Sequence, residues 1–305
     1  MTSVVDRAQA SLAPRVVARK NYRRTMLSII VVLAAIGILI TVFGNERFGW
    51  PVIATYLFHP SIIAGIGNTL LLTLVCMVIG TLMGGVLALM RLSPSPPLQW
   101  IASVYTWFFR GVPLLVLLLF WFNLSALFPN LGIGLPGMEP WITLNANEII
   151  SPFTAAVLAL SLHESAYMAE IIRSGLSAVD RGQREAAQAL GMKPSKVDSR
   201  IIIPQAMRII VPPTANQVIS MLKSTSLVSV IALSDLLYSA QIIYSSNYQV
   251  IPLLVVATIW YLFLVSLLTL VQSRVEKIFN RGYAARSQAK KRPSTPEQSE
   301  EPTLV

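Results

Sequence analysis

Four stretches of the chain carry no charged residue: 26–43, 61–90, 113–128 and 251–272. An α-helix rises about 1.5 Å per residue and the hydrocarbon core of a bilayer is about 30 Å thick, so each stretch is long enough to cross it, or nearly so. Backbone polar groups find no water at that depth and must bond within their own segment, which predicts helices. Two further apolar stretches, at about 151–171 and from about 209 onward, are punctuated by polar residues. The pattern predicts an all-α integral membrane protein with six transmembrane helices, at about 26–43, 63–90, 113–128, 151–171, from 209, and 251–272.

The punctuation between these runs carries its own information. Ser93-Pro94-Ser95-Pro96-Pro97 is a turn, and an aromatic stretch at 100–109 leads into Arg110-Gly111-Val112-Pro113, which reads as a bend near a membrane surface. The segment 129–150 holds Gly, Pro, Glu139 and Glu148. Lys223-Ser224-Thr225-Ser226 interrupts the fifth run, and its hydroxyls compete for backbone hydrogen bonds. Two readings of that interruption stand: a broken helix lining a polar cavity, or a polar knot between packed helices. The mixed stretch 234–248 is either an external loop or re-entrant.

Composition agrees with the membrane reading, and charge adds sidedness. Of 305 residues, 54% are hydrophobic and only 12% charged, about half the share of charge usual in soluble domains. The net charge of +10 is concentrated in three polar segments: an N-terminal tail with Arg7 to Arg24, a central segment with Arg173 to Arg208, and a C-terminal tail with Arg274 to Arg292. Basic clusters beside spans mark cytoplasmic loops, so nucleic acid is not the expected partner. By the same rule 44–62, with Arg47 as its only Lys or Arg, and 129–150, with none, are external. An even number of spans then puts both termini in the cytoplasm. The first run is long for a signal peptide and is followed by no small-x-small cleavage site, which predicts a retained first span. Cys76 is the single cysteine and lies inside an apolar run, where it is expected to pack. The expected organisation is a tail at 1–25, a first helix and external loop at 26–59, a membrane core at 60–280 and a Pro/Ser/Glu-rich disordered tail at 281–305.

A cytoplasmic loop between spans needs only to be polar, yet 173–208 is built to fold. Arg184 to Leu190 are good helix formers, Gly191 is a natural stop, and Lys193-Pro194-Ser195 starts a second helix with Pro in its first turn. Two short helices meeting at a Gly make a protrusion that another protein can grip. The run Glu185-Ala186-Ala187, then Gly191, then Ile203-Pro204, resembles the cytoplasmic coupling loop of ABC importer permeases. Tyr167-Met168-Ala169-Glu170, Gly182-Gln183, Lys223-Ser224-Thr225-Ser226-Leu227, Asn68-Thr69-Leu70 and Arg110-Gly111-Val112-Pro113-Leu114-Leu115 extend the likeness over about 60–280. The set is similar to the histidine, glutamine, glutamate and arginine permeases, the polar amino-acid branch. The resemblance implies the type I ABC permease fold in a bacterial inner membrane. It implies no enzymatic activity and no cofactor in this chain: ATP is used by a separate ATPase subunit, and ligand arrives from a solute-binding protein. The permease works beside a second copy or a paralogue, and membrane lipid surrounds it. Glu185, Ala186, Ala187, Gly191 and Pro204 are the implied ATPase-coupling residues.

The residues themselves agree about what is missing. The chain has no Gly-x-x-x-x-Gly-Lys-Ser/Thr phosphate loop, and His59 and His163 are its only histidines. A secondary transporter of small polar solutes fits the spans but not the folded loop, and a membrane-embedded enzyme lacks a nucleophile or metal cluster. Ionisable residues within spans are costly and mark candidate sites. Glu170 and Arg173, three apart, read as a structural ion pair. Glu164 has no basic neighbour at helical spacing, so it meets either Lys223 from the fifth span or a cation on the solute. His163 beside it reads as a packing residue or a ligand. Glu164, His163, Lys223, Ser224, Thr225 and Ser226 are the candidate substrate-pathway residues.

Overall fold

The structure, a computed structural model, describes residues 22–133 and 141–280. The expectations for 1–21, for 281–305 and for the middle of the 129–150 segment lie outside the described residues. The chain divides into two compact units, Met1–Trp50 and Pro51–Val305.

In the first unit, helix α1 (Tyr22–Phe43) is uncharged from Met26 onward, and its described side chains are exposed except Val42, which is half-buried. A short 3₁₀ turn, Glu46–Phe48, follows. Trp50 stacks on Phe43 at 5.0 Å, and its indole N–H donates to the Phe43 carbonyl at 3.2 Å.

The second unit takes in all of α2 (Trp50–Tyr56) but its first residue and is dominated by α3 (Pro60–Leu92). Pro60 sits in the first turn of α3, where its missing N–H has no intrahelical partner to lose, and the His59 ring accepts from the Ser61 N–H. The 33 residues of α3 extend about 50 Å, more than a bilayer core, so tilt or projecting ends are required. Then come α4 (Pro96–Gly111), α5 (Leu114–Phe122), a hairpin of β1 (Asn130–Ile133) with β2 (Ile142–Asn145), and α6 (Pro152–Ser177). α7 (Arg181–Ala189) is followed by a one-turn helix, Pro194–Val197, and a π-helical turn, Asp198–Ile202. α8 (Ile203–Ser224) leads into a 3₁₀ segment, Thr225–Ile231, and α9 (Leu236–Asn247) and α10 (Val250–Asn280) complete the core.

Four helices, α1, α3, α6 and α10, are each long and apolar enough to cross a membrane. Two bent pairs supply the rest: α4 with α5, at 100°, and the Pro194–Ile231 stretch with α9, at 42°, so six spans result when each pair counts as one. The helical membrane architecture expected from the sequence is therefore the one observed. The third span differs from its expectation. The uncharged run 113–128 is not one straight helix: Asn123 ends α5, its amide donating to the Leu119 carbonyl at 2.8 Å. Nine residues rise only about 14 Å, and the aromatic stretch before the bend forms the other limb as α4. Val112, extended at φ −86° and ψ 132°, makes the corner, as a residue preceding proline favours.

The core lies where α6 meets α3, α5 and the 3₁₀ segment, and includes Leu72, Cys76, Leu117, Leu118, Ala159, Leu160 and Val228. The buried face of α6 is largely Ala and Ser, with a single long acid, Glu164. Small residues let helices approach closely where no hydrophobic force drives them together. Gly84 on α3 shows how closely: a Cβ there would lie 2.6 Å from Met168 Cβ and 2.9 Å from the backbone of Ser165 and Ala169.

Candidate functional site

Glu164 lies at the middle of the α3–α6 contact and is 3% exposed. Gly80 across from it has no side chain; a Cβ there would fall 2.8 Å from Glu164 Cγ. On its other side the Gln217 amide of α8 faces both carboxylate oxygens, at 3.3 and 3.4 Å. A carboxylate withdrawn from water is costly unless paired, and one amide donor offsets only part of that. Lys223 is not its partner in this structure. It is exposed, and it follows Gln217 by six residues on α8, which is about 9 Å along the axis and onto another face. Ser224 and Ser226 are half-buried and Thr225 is buried. Thr225 and Ser226 turn their hydroxyls back onto the carbonyls of Leu222 (2.7 Å) and Lys223 (2.8 Å), which is how the α-helix gives way to the 3₁₀ segment. Gln217 was not legible as a site residue, because a neutral amide on a mixed helix carries no distinguishing spacing.

His163 holds the α4–α5 corner. Its Nδ1–H donates to the Phe109 carbonyl at 2.9 Å, a group left free where the helix ends, and its ring lies against Tyr167. Tyr105 reinforces the contact from α4 through Ser165 Oγ at 2.7 Å.

A second buried acid, Asp235, escaped the sequence reading. It caps α9, accepting from the Tyr238 N–H at 2.8 Å and from the Tyr261 hydroxyl at 3.2 Å. The Asn68-Thr69 pair stitches the same place to α3: Asn68 donates to the Ser234 carbonyl at 2.7 Å, and Thr69 Oγ1 accepts from the Leu236 N–H at 3.1 Å. Asp before Leu236-Leu237 is a helix-start signal, and it was available in the sequence.

The folded loop forms as the sequence predicts. Asp180 caps α7 by accepting from the Gly182 N–H at 2.8 Å, and Gly191 turns the chain at φ +75°, a conformation natural to glycine. Ala187 is buried against Val197 and Ile202 in a small core of the loop's own, with Leu176 and Met192 beside it. Arg184 and Asp198 clasp the two limbs at 2.6 Å. Glu185 and Ala186 face outward, as does Leu190 at 83% exposed, while Pro204 lies exposed at the start of α8. The two alanines thus have separate tasks: Ala187 holds the loop together and Ala186 belongs to its free surface.

Helices long and apolar enough to cross a membrane, a polar seam buried between α3, α6 and α8, and a folded two-helix protrusion are the features of a membrane-embedded subunit. The chain belongs to the family of binding-protein-dependent transport system inner membrane components, whose pattern matches residues 77–283. It is 42% identical to the arginine transport system permease protein of Corynebacterium glutamicum, over 85% of this chain and 81% of that protein. It is 37% identical to the arginine transport system permease protein of Bacillus subtilis, over 72% and 92% of the two. Among solved structures, an amino acid ABC transporter crystallised with histidines shares 38% identity at a TM-score of 0.63, covering 73% of this chain and 96% of that one. This chain is accordingly a multi-pass inner-membrane permease subunit of an ABC importer, not an enzyme, and the family works with an ATPase and a solute-binding protein. A secondary transporter is not the favoured reading.

Proposed function

We propose that this permease carries polar amino acids inward, one of two permease subunits around a shared path, with α7 and its following turn docked on the ATPase. The observation that carries the coupling half is the loop itself. Ala187, Val197 and Ile202 pack into one cluster with Leu176 of α6, which ties the loop that presents Glu185, Ala186 and Leu190 to the end of α6. Coupling needs contacts that differ between states, and a loop packed against a span transmits such differences. The proposed pathway residues are Glu164, His163, Lys223, Ser224, Thr225 and Ser226. Glu164 offers its carboxylate to an ammonium or guanidinium, with Gln217 holding it between passages. Relatives named for arginine, cystine and glutamate/aspartate transport support a polar amino-acid cargo. Lys223 supports a paired assembly: a cation exposed on an isolated subunit at this depth needs water or a partner, not lipid. On this reading both termini and the folded loop lie on the ATPase side, and ATP is consumed by the partner, with no cofactor held in this chain.

The test is uptake by the permease reconstituted in liposomes with its ATPase and solute-binding protein. Leu190→Asp and Gly191→Asp should leave the permease inserted but lose uptake and ligand-stimulated ATP hydrolysis together. Glu164→Gln should keep the complex assembled and alter uptake of cationic relative to acidic amino acids. Wild-type uptake and hydrolysis in both loop variants would overturn the coupling assignment, and unchanged selectivity in the third would overturn the role of Glu164.

A further inference from the structure

A polar recess of about 510 Å³ opens beside α4; Tyr167 lines it with His163 behind the ring, while neither Glu164 nor any residue of the folded loop lines it. Two arginines, Arg91 and Arg110, and one acid, Glu170, line it. Arg91, at the end of α3, pairs with Glu170 at 2.6 Å, and Arg173 closes on the same carboxylate from one helical turn away. Glu170 is thereby spent. Arg110 has no carboxylate within ion-pair distance among the described residues; its guanidinium lies 5.3 Å over the Tyr167 ring. The floor is therefore cationic in excess. α4 supplies a polar stripe at helical spacing, Ser103, Thr106 and Arg110, which lines the recess. Alongside that stripe Trp100 and Trp107 are 68% and 75% exposed.

Position gives the ligand class. Arg91 stands where the uncharged run of α3 ends, which is the level of the lipid headgroups. Exposed tryptophans flank membrane interfaces, and α4, bent 100° from α5, presents them there. A guanidinium fork matches phosphate oxygens in pairs, and basic pockets between transmembrane helices hold anionic headgroups. We propose that this recess is a binding site for the phosphate of an anionic membrane phospholipid, with Arg110 as its principal contact and Trp107 against the glycerol and upper acyl chain. A free amino acid would bring an ammonium into a site whose one carboxylate is already doubly paired. A zwitterionic lipid would bring its quaternary ammonium to the same arginines.

The test uses the full chain assembled with its ATPase and purified in maltoside detergent, titrated with dioctanoyl phosphatidylglycerol and read by tryptophan fluorescence and native mass spectrometry. Dioctanoyl phosphatidylcholine, inorganic phosphate and free amino acids are the comparison ligands. Phosphatidylglycerol should bind several-fold more tightly than phosphatidylcholine. Arg110→Gln should weaken it about fivefold, as expected for about 1 kcal/mol per arginine at a headgroup, while Arg110→Lys keeps most of the preference. Should Arg110→Gln fail to fold, the wild-type preference between the two lipids decides the matter alone. Equal binding of both lipids, or undiminished binding by a folded Arg110→Gln protein, would overturn the proposal. Displacement of the lipid by inorganic phosphate at equal concentration would reassign the recess to a free anion, and displacement by an amino acid would reassign it to the solute path.

Discussion

Replacing Gly84 by Ala tests the contact on which the membrane core is built. The added Cβ would stand 2.6 Å from Met168 Cβ and 2.9 Å from the Ala169 nitrogen and the Ser165 carbonyl oxygen. Carbon atoms in good contact lie about 3.5–4.0 Å apart, so α3 must back away from α6 by about 1 Å. Two of the three obstacles are backbone and cannot rotate aside. Overpacking of this kind costs roughly 1–3 kcal/mol. Alanine also favours the helix over glycine by up to ~1 kcal/mol, which masks part of the loss. Gly67→Ala removes that ambiguity: it lies on the same helix with nothing within 4 Å of its Cβ position, so it gains the propensity and meets no clash. The difference between the two variants isolates the clash at about 1–3 kcal/mol, or roughly 2–12 °C in melting temperature. Cys76 provides the assay. It is the only cysteine, fully buried in the α3–α6 core, and a thiol-reactive dye in detergent reports when that core opens on heating. The reasoning fails if the two variants melt together, or if Gly84→Ala melts above Gly67→Ala.

Three further outcomes follow from other parts of the structure. Tyr261→Phe removes one hydrogen bond from the buried Asp235 cap and should cost about 1 kcal/mol, visible as a fall of a few degrees in the same melting assay. Ala187→Trp should burst the loop's small core and open 180–202 to limited proteolysis, whereas Ala186→Trp should leave the loop protected and weaken capture of the ATPase; equal protection in the two would refute the inward placement of Ala187. For sidedness, a cysteine replacing Glu185 in a Cys76→Ala background should react with an impermeant maleimide in inside-out vesicles and not in right-side-out ones.

The spans were legible because length and the absence of charge are one-dimensional properties, and a bilayer imposes both. The turn at Gly191 and the bend at Arg110-Gly111-Val112-Pro113 were legible for a related reason: glycine at positive φ and an extended residue before proline are local constraints. The shortening of α5 was not, since Asn123 among leucines and aromatics does not by itself stop a helix. Nor was the identity of the group facing Glu164. Lys223 was the chemically attractive partner, but Gln217 occupies the facing position, and which residue of α8 faces α6 depends on the rotation of one helix against another. Charge complementarity in a sequence carries no azimuth. The hairpin pairing Asn130 with Asn145 was hidden too, its strands being four residues each.

The interruptions of the helices are where this chain concentrates its polar chemistry. Irregular backbone at membrane depth survives only where protein buries it or water lines it, because lipid offers no hydrogen bonds. The Thr225–Ile231 segment meets the first condition on one side, with Thr225, Val228 and Ser229 buried, the Thr225 hydroxyl turned onto the Leu222 carbonyl of α8 and the Ser229 hydroxyl onto the Ser226 carbonyl. On the other side protein of this chain does not bury it, for Val230 is exposed. Asp235, by contrast, is enclosed by Tyr261, Asn68 and Thr69 contacts that tie α9 to α3 and α10, so that interruption is closed internally. The two breaks therefore differ in kind: the cap at Asp235 is enclosed by contacts of its own subunit, while the 3₁₀ segment keeps an exposed face at Val230. Under the proposed paired arrangement, that exposed face belongs to the shared path, one polar segment from each subunit. The helix that carries it, α8, begins at the folded loop the ATPase is proposed to grip, so a push at Leu190 reaches Lys223 through the packed loop, the π-helical turn and then α8, whose Pro212 and Pro213 each remove a backbone donor from its ladder.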